Sequence, residues 1–453
     1  MSGQRCSAVV LAAGKGTRMK SGLPKVLHPI AGRPMIAHVL DTVAAVGADP
    51  AIVVVGPGME AVTEAVAPHQ TAVQQDQAGT ADAVRAARAP LSEAGSETVL
   101  VLFGDTPFIE ATTVAAMLEK RDAGAAVVVL GMRPDDPFGY GRLVQDEAGA
   151  LTAIVEQRDA DAATARIALC NSGVMAIDAA RLFPLVDRIG NDNAKGEYYL
   201  TDIVAEARGQ NLECAVVEAP AEQLMGINDR ADLAMAERLW QQARRRAVME
   251  AGVTLADPAT VWFSYDTVVG RDVTIAQNVV FGPGVTIADN VEIRPFSHIE
   301  GAAVEEGAVI GPFARLRPGA KVGPDAHVGN FVELKNAVLG AGAKANHLTY
   351  LGDASVGAGA NIGAGTITCN YDGFMKHRTE IGAGAFIGSN AALVAPVAVG
   401  DGAIVGAGSV VTRDVAADAL TVARGEQTER PGAAARYREA KAAEKASRQG
   451  GKG

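Results

Sequence analysis

From residue 269 onward, aliphatic side chains return at every sixth position. They fall at Val269, Ile275, Phe281, Ile287, Ile293 and Ile299, and after a five-residue step at Val304, Ile310, Leu316, Val322, Val328 and Leu334. The phase slips, resumes at Val356 and Ile362, and runs again through Ile381, Ile387, Leu393, Val399, Val405 and Val411. A period of six suits neither a helix of 3.6 residues per turn nor a long flat strand. It is the period of a parallel β-helix, in which one aliphatic residue per face points inward and stacks on its counterpart in the next coil. Glycine often follows the aliphatic residue, as at Gly311, Gly323 and Gly400, which suits tight corners. The segment TCNYDGFMKHRTE (368–380) breaks the repeat, and insertions in solenoids map to loops on one face, often a binding face.

The first half reads differently. Apolar runs at 7–12, 51–56, 98–103 and 125–132 alternate with helical patterns such as 35–46 and 81–89. This predicts an α/β domain with a Rossmann-like, mostly parallel sheet over 1–227, whose ligands gather at the carboxyl ends of its strands. A continuous helix over 228–250, capped by Asn228, reads as the connector. The β-helix domain is expected over 251–430 and a flexible, partly helical tail over 431–453. At 453 residues the chain is too long for one ordinary core. Its net charge of −11 argues against a general nucleic-acid binder, and the run Arg244–Arg246 reads as a solvated helix face or interdomain salt bridges. Cys6, Cys170, Cys214 and Cys369 are scattered without a CxxC, so neither a zinc site nor a disulfide framework is indicated. No leader and no apolar run of membrane length are found, which points to a cytoplasmic protein without a membrane span.

In LAAGKGTRM (11–19), followed by LPKVL (23–27), Gly14 and Gly16 come directly after the first predicted strand. They let the backbone turn sharply toward a ligand, with Thr17, Arg18 and backbone amides facing phosphate oxygens and Lys25 adding a mobile cation. The motif is neither GxGxxG, since residue 19 is Met, nor a P-loop. In VLVLFGDTPF (99–108) a buried strand ends at Gly104-Asp105. A lone aspartate there would read as a turn residue; after the glycine motif it reads as a ligand for Mg²⁺, which favours oxygen donors. Asn228 is the candidate second donor, alongside its capping role.

The combination GxGTRM…PK resembles the sugar-1-phosphate nucleotidyltransferases. QQDQAGTADA (74–83) resembles their nucleobase segment, and FGYGRL, IVEQRDA, CNSGVM and GEYYLTDI follow in family order. These match the bifunctional uridylyltransferase–acetyltransferases of UDP-N-acetylglucosamine synthesis. The resemblance implies UTP or UDP-sugar contacts at Leu11, Ala12, Gly14, Lys25, Gln74, Gln77, Gly79, Thr80 and Asn228. It implies sugar contacts at Gly141 or its neighbour Gly139, and at Glu156 and Asn171. Ala81-Asp82 stands where many members have a histidine-containing pair, and Ser172 where threonine is usual. The implied reaction is in-line displacement at the α-phosphorus of UTP, with Arg18, Lys25 and Mg²⁺ neutralising charge.

The polar runs RLRPGA, GNFVELKNA, ANHLTYLGDA and ANIGAGTITCNYDG resemble the acetyltransferase half of the same family, a left-handed β-helix. A sugar ammonium must lose a proton before it can attack a thioester, and His347 is the candidate base, oriented by Glu333. The resemblance implies glucosamine-1-phosphate contacts at Arg317, Lys335, Tyr350, Asn361 and Lys376. It places acetyl-CoA at Ala364, Asn370, Tyr371, Ser389, Ala407 and Arg424, and implies a homotrimer through the β-helix. Small molecules are then the substrates, with acetyl-CoA and UTP as co-substrates. The alternatives are a monofunctional nucleotidyltransferase whose β-helix only assembles or regulates, a β-helical binding scaffold, and a different nucleotide.

Overall fold

The first apolar run, Cys6–Leu11, is buried at every position, as befits a strand covered on both faces. In the computed structural model, which describes residues 5–450, it lies inside a nine-stranded sheet. It pairs in parallel with Ala51–Val55 on one side and with Thr98–Phe103 on the other. The order runs on to Gln70–Val73 at one edge, and through Cys170–Asp178 and Val127–Met132 to Cys214–Glu218 at the other. Cys170–Asp178 runs antiparallel to both its neighbours, within an otherwise parallel order. Alternate side chains enter two separate cores: Ala8 and Val10 join one, Val9 and Leu11 the other. The glycine motif and Gly104-Asp105 therefore leave the same, carboxyl edge of adjacent parallel strands.

The helical stretch expected at 81–89 is two helices, Thr80–Ala86 and Arg88–Ala94. Pro90 is the reason, since it has no N–H for the carbonyl of Ala86. The long helix spans Arg230–Glu250. Its cap is Asp229 rather than Asn228: the Asp229 carboxylate accepts from the amides of Ala231 (2.8 Å) and Asp232 (3.1 Å). Asp232 answers by accepting from the amides of Asn228 and Asp229, which completes a reciprocal cap. The chain divides into two compact units. One holds the residues up to Ala247 with Phe263–Tyr265; the other holds Val248–Trp262 and the chain from Asp266 onward.

The second unit is a left-handed parallel β-helix. Two-residue strands stack coil on coil: Thr274–Ile275 pairs with Glu292–Ile293, and that with Val309–Ile310. A second face starts with Val268–Val269, Thr286–Ile287 and Ala303–Val304, a third with Val280–Phe281, His298–Ile299 and Arg315–Leu316. The six-residue aliphatic series is buried throughout, except for a half-buried Val269 in the first strand of its face. The apparent slip after Leu334 is no break. Leu339, Ala345 and Leu351 hold the inward places, all at most 1% exposed, and Ala345 is too small to register in an aliphatic pattern. The tail forms a largely exposed helix, Ala433–Gly450; the rest of the tail expectation, and the part of the leader reading that rests on residues 1–4, lie outside the described residues. Among the described residues no helix is long and apolar enough to cross a membrane.

The four cysteines are free thiols. Burial raises the Cys6 thiol to about 12 and the Cys214 thiol to about 11, and raises that of Cys170 as well. The thiolate is the reactive form, so these three react slowly with an alkylating agent. The half-buried Cys369 reacts ahead of them, and all four react after unfolding. Peptide mapping after brief alkylation of the native protein checks the order; early labelling of Cys6 or Cys214 would contradict the packing.

Candidate active sites

A cavity of about 480 Å³ opens at the carboxyl edge of the first unit's sheet. Leu11, Ala12, Gly14, Lys25, Gln74, Gln77, Gly79, Thr80 and Asp105 line it, so one hollow gathers nine residues singled out in the sequence. Two glycines are needed to shape it. Gly16 has φ +58, and a β-carbon there would lie 2.6 Å from that of Lys25, so only glycine lets the lysine pass behind the loop. Gly79 has φ +123, and a β-carbon would meet the Tyr198 backbone at 2.5 Å.

Four polar side chains converge beside the cavity. The Lys25 ammonium is paired with the Asp105 carboxylate and also donates to Asn228 Oδ1 at 3.3 Å. The Arg18 guanidinium donates to the same oxygen at 2.9 Å. With capping left to Asp229, the Asn228 carbonyl faces this cluster. Asp105 and Asn228 thus present two hard oxygen donors around one lysine. That set fits a divalent ion whose remaining ligands are phosphate oxygens and water. Among the described residues no cluster of three or more His, Cys, Asp or Glu offers a metal cage.

Gln74 is buried, and its amide nitrogen donates to the Gly79 carbonyl and to the Asp82 carboxylate, each at 2.9 Å. Both N–H groups are therefore engaged, and only the side-chain carbonyl is left for a ligand. Asp82, one of the family departures, is what orients it. Gln77 donates to the Ala13 carbonyl at 2.7 Å, and the Thr80 hydroxyl accepts from the Leu200 amide at 2.9 Å. Lys15, Phe103, Asp76 and Glu197 also line the hollow and were not singled out by sequence. Glu197 had a signal, since it lies in the matched segment GEYYLTDI.

Gly141, Glu156 and Asn171 lie outside that lining but close together. The Asn171 amide donates to the Gly141 carbonyl at 2.8 Å, and a β-carbon on Gly141 would meet Glu156 Oε1 at 3.4 Å. Gly173 packs against Phe103, which links this group to the cavity wall. Burial pushes the Glu156 carboxyl above its ordinary value, partly offset by the Lys195 ammonium. Ser172, the other departure, donates to the Leu130 carbonyl at 2.7 Å.

In the second unit, His347 ends the strand Lys344–His347, and Nδ1 lies 2.6 Å from Asn330 Oδ1 on the coil below. An amide oxygen can only accept, so with the Asn330 amide in this orientation Nδ1 is the donor, and in the neutral imidazole the lone pair then lies on Nε2. Asn330 therefore orients the imidazole. The expected partner, Glu333, instead accepts from the Arg317 guanidinium at 2.8 Å. Glu333 stacks under Tyr350, and Lys335 under Gly352. Gly352 is glycine because a β-carbon would lie 2.3 Å from the Tyr350 hydroxyl. The Lys376 ammonium beside Lys335 pushes that lysine below its usual value. Arg317, Lys335, Lys376 and Tyr350 are thus brought together.

Asn361 sits on another face, stacked between Lys344 and Phe386. Ala364, Ser389 and Ala407 climb one corner: their carbonyls accept from the Asn390 amide (2.7 Å), the Gly408 amide (2.8 Å) and the Arg424 guanidinium (2.8 Å). His347 belongs to the same column, its carbonyl accepting from the Gly365 amide at 3.3 Å. Asn370 and Tyr371 begin the loop that breaks the repeat. Asp372 ties this loop down, accepting from the amides of Phe374 and Met375 and from His377, which hold its carboxyl down at about 2.

An α/β domain with a glycine loop facing an acidic strand end, followed by a hexapeptide β-helix, defines a nucleotidyltransferase joined to a hexapeptide transferase. Residues 8–168 match the MobA-like NTP transferase domain, and 266–301 and 378–413 match the bacterial transferase hexapeptide (six repeats). The chain is 59% identical over 99% of its length to the bifunctional protein GlmU of Paramagnetospirillum magneticum, covering 100% of it. It is 60% identical over 96% of its length to that of Rhodospirillum rubrum, and 55% over 98% to that of Sphingopyxis alaskensis, covering 97% and 98% of those proteins. The chain belongs to the GlmU family of bifunctional proteins, and is a nucleotidyltransferase and acyltransferase in one polypeptide.

Replacing Gly79 by alanine forces a side chain onto Tyr198 at a φ that L-residues avoid, a strain of about 1–3 kcal/mol. Gly79→Ala is expected to lower the melting temperature of the first unit and to weaken nucleotide binding. Calorimetric titration with UTP checks this; wild-type affinity would mean that the loop tolerates the shift.

Proposed function

We propose that the chain acetylates glucosamine-1-phosphate with acetyl-CoA in its second unit. The first unit then transfers UMP from UTP to N-acetylglucosamine-1-phosphate, giving UDP-N-acetylglucosamine and pyrophosphate. One observation supports this best: a single chain carries the Lys25–Asp105–Asn228 cluster beside a glycine loop in its first unit and, in its second, a His347 held through Nδ1 by Asn330 together with a Lys335–Lys376 pair. The monofunctional alternative leaves that second arrangement without a purpose.

In the first unit, the only free polar atom of the Gln74 amide is an acceptor, which suits the N–H of uracil. Gly79 and Thr80 lie against the base, and Leu11, Ala12 and Gly14 against the nucleotide. Gly141, Glu156 and Asn171 hold the sugar. Asp105 and Asn228 would hold Mg²⁺, which neutralises charge on the phosphates when bound. Arg18 and Lys25 place the phosphates so that an oxygen of the sugar phosphate attacks the α-phosphorus in line and the bond to pyrophosphate breaks.

In the second unit, Arg317, Lys335 and Lys376 bind the phosphate of glucosamine-1-phosphate, and Tyr350 and Asn361 its sugar. His347 Nε2 takes a proton from the amine, whose nitrogen attacks the thioester carbonyl while the Ala364 amide polarises that oxygen. The carbon–sulfur bond breaks and the proton goes to the leaving thiolate. Asn370, Tyr371, Ser389, Ala407 and Arg424 hold the coenzyme. The enzyme works as a homotrimer. Phe296, Phe313 and Phe331 stack at 4.8 and 5.3 Å on one corner, 45–57% exposed, and form an apolar ladder that association would cover. Free thiols suit a cytoplasmic setting.

The test crosses two variants with two assays. Asp105→Ala is expected to lower uridylyl transfer by at least about a hundredfold and to leave acetyl transfer intact. His347→Ala is expected to do the reverse, with acetyl transfer falling by about 10²–10⁴. Wild-type UDP-sugar formation by Asp105→Ala would remove the metal assignment, and wild-type acetylation by His347→Ala would place the base elsewhere.

A further inference from the structure

One carboxylate in the second unit has no part in the scheme above. Asp353 occupies a corner of the coil with φ +47, directly between the matching corner residue Asn336, φ +46, on the coil below and Asn370 on the coil above. Its Oδ1 accepts from the Asn336 amide at 2.7 Å, and its Oδ2 from the Asn370 amide at 2.5 Å. Burial works against the charge on Asp353, but the two amides and the ammoniums of Lys335 and Lys376 outweigh it and hold the carboxyl below its ordinary value. The same group therefore touches the root of the 368–380 loop and faces the two lysines that lie against each other.

We propose that Asp353 is the positioning residue of the acetyltransferase site, anchoring the coenzyme loop through Asn370 and holding Lys335 and Lys376 at their spacing. This rests on the acetyltransferase reading of the second unit. The geometry explains why a carboxylate is needed. Two side-chain N–H donors point at residue 353 from opposite sides, and a group with two acceptor oxygens satisfies both as they are oriented. An amide at 353 accepts on one side and keeps the other contact only if the facing asparagine turns its carbonyl inward, which re-aims the Asn370 side chain or the Asn336 side chain and removes the negative charge. Two converging ammoniums repel, and a fixed negative charge between coils offsets that repulsion before a phosphate arrives. Asn370 leaves the coil at this anchor, and Lys376 returns along the same loop, where the Tyr371–Lys376 bridge and the Asn370–His377 backbone bond close it. Releasing Asn370 displaces the whole segment.

The test compares wild type, Asp353→Asn, Asn370→Ala and the double variant in the full chain. Asp353→Asn keeps the size of the side chain, and asparagine tolerates the left-handed corner. It is expected to lower kcat/KM for acetyl-CoA by about ten- to a hundredfold, as displaced reactants do. In the KM for acetyl-CoA, which reads the loop anchor and not the lysine spacing, the double variant is expected to be no worse than Asn370→Ala alone, because both lose the same anchor. Uridylyl transfer stays at the wild-type rate in all four, which shows that the first unit is intact, and an unchanged β-sheet circular-dichroism spectrum with a wild-type thermal transition shows that the β-helix is folded. Additive increases in the KM for acetyl-CoA in the double variant overturn the proposal, as does wild-type acetylation by Asp353→Asn. A lower KM for glucosamine-1-phosphate with unchanged kcat also overturns it, since that would make Asp353 a charge near the phosphate and nothing more. If wild type itself acetylates no glucosamine-1-phosphate, the acetyltransferase reading fails and this inference falls with it.

Discussion

The second unit depends on one constraint: backbone hydrogen bonds between successive coils fix which residues become neighbours. Ile275 lies under Ile293 and Ile293 under Ile310, so inward side chains form continuous columns and outward ones do the same. A functional group in this fold is built along a column, from residues a coil apart in sequence. Asn330 reaches His347 in this way, Glu333 lies under Tyr350, and Asn336 meets Asp353. The rigidity of the stack is what allows a single hydrogen bond, Asn330 to His347, to set the tautomer of an otherwise exposed imidazole.

The first unit solves a different problem. Its substrates are anions, and the chain as a whole is acidic, so positive charge has to be concentrated at one edge. Parallel pairing of Cys6–Leu11 with Thr98–Phe103 places the glycine loop and Asp105 side by side. The helix starting at Arg230 brings Asn228 to the same edge, and Asp229 supplies the cap. Had Asn228 been the cap, its carbonyl would be occupied by the first turn and could not accept from Arg18 and Lys25.

Much of this was legible in the sequence, and the reasons are physical. The six-residue period survives because each inward position must be aliphatic to fill the coil. The glycine motif and Gly104-Asp105 are legible because they sit where strand patterns end. Partners across coils were not legible. Glu333 was the natural acid for His347 by type, yet the register gives His347 to Asn330 and leaves Glu333 to Arg317. Ala345 hid the continuity of the repeat because the inward place there accepts a small residue. Asp82 read as a departure from family pattern; only the fold shows that it takes one of the two amide hydrogens of Gln74, the Gly79 carbonyl taking the other.

Both sites share a logic of engaged and free atoms. Gln74 has its two donors satisfied internally and offers an acceptor; His347 has Nδ1 satisfied and offers the lone pair of Nε2. In each case a neighbour outside the catalytic scheme, Asp82 or Asn330, removes an ambiguity that the side chain would have in isolation. Neutral amide and imidazole groups can each present either a donor or an acceptor, so their chemistry is set by the partner on the far side. Under the proposed function, specificity for an N–H-bearing base and competence to take a proton from an amine both originate one hydrogen bond away from the substrate.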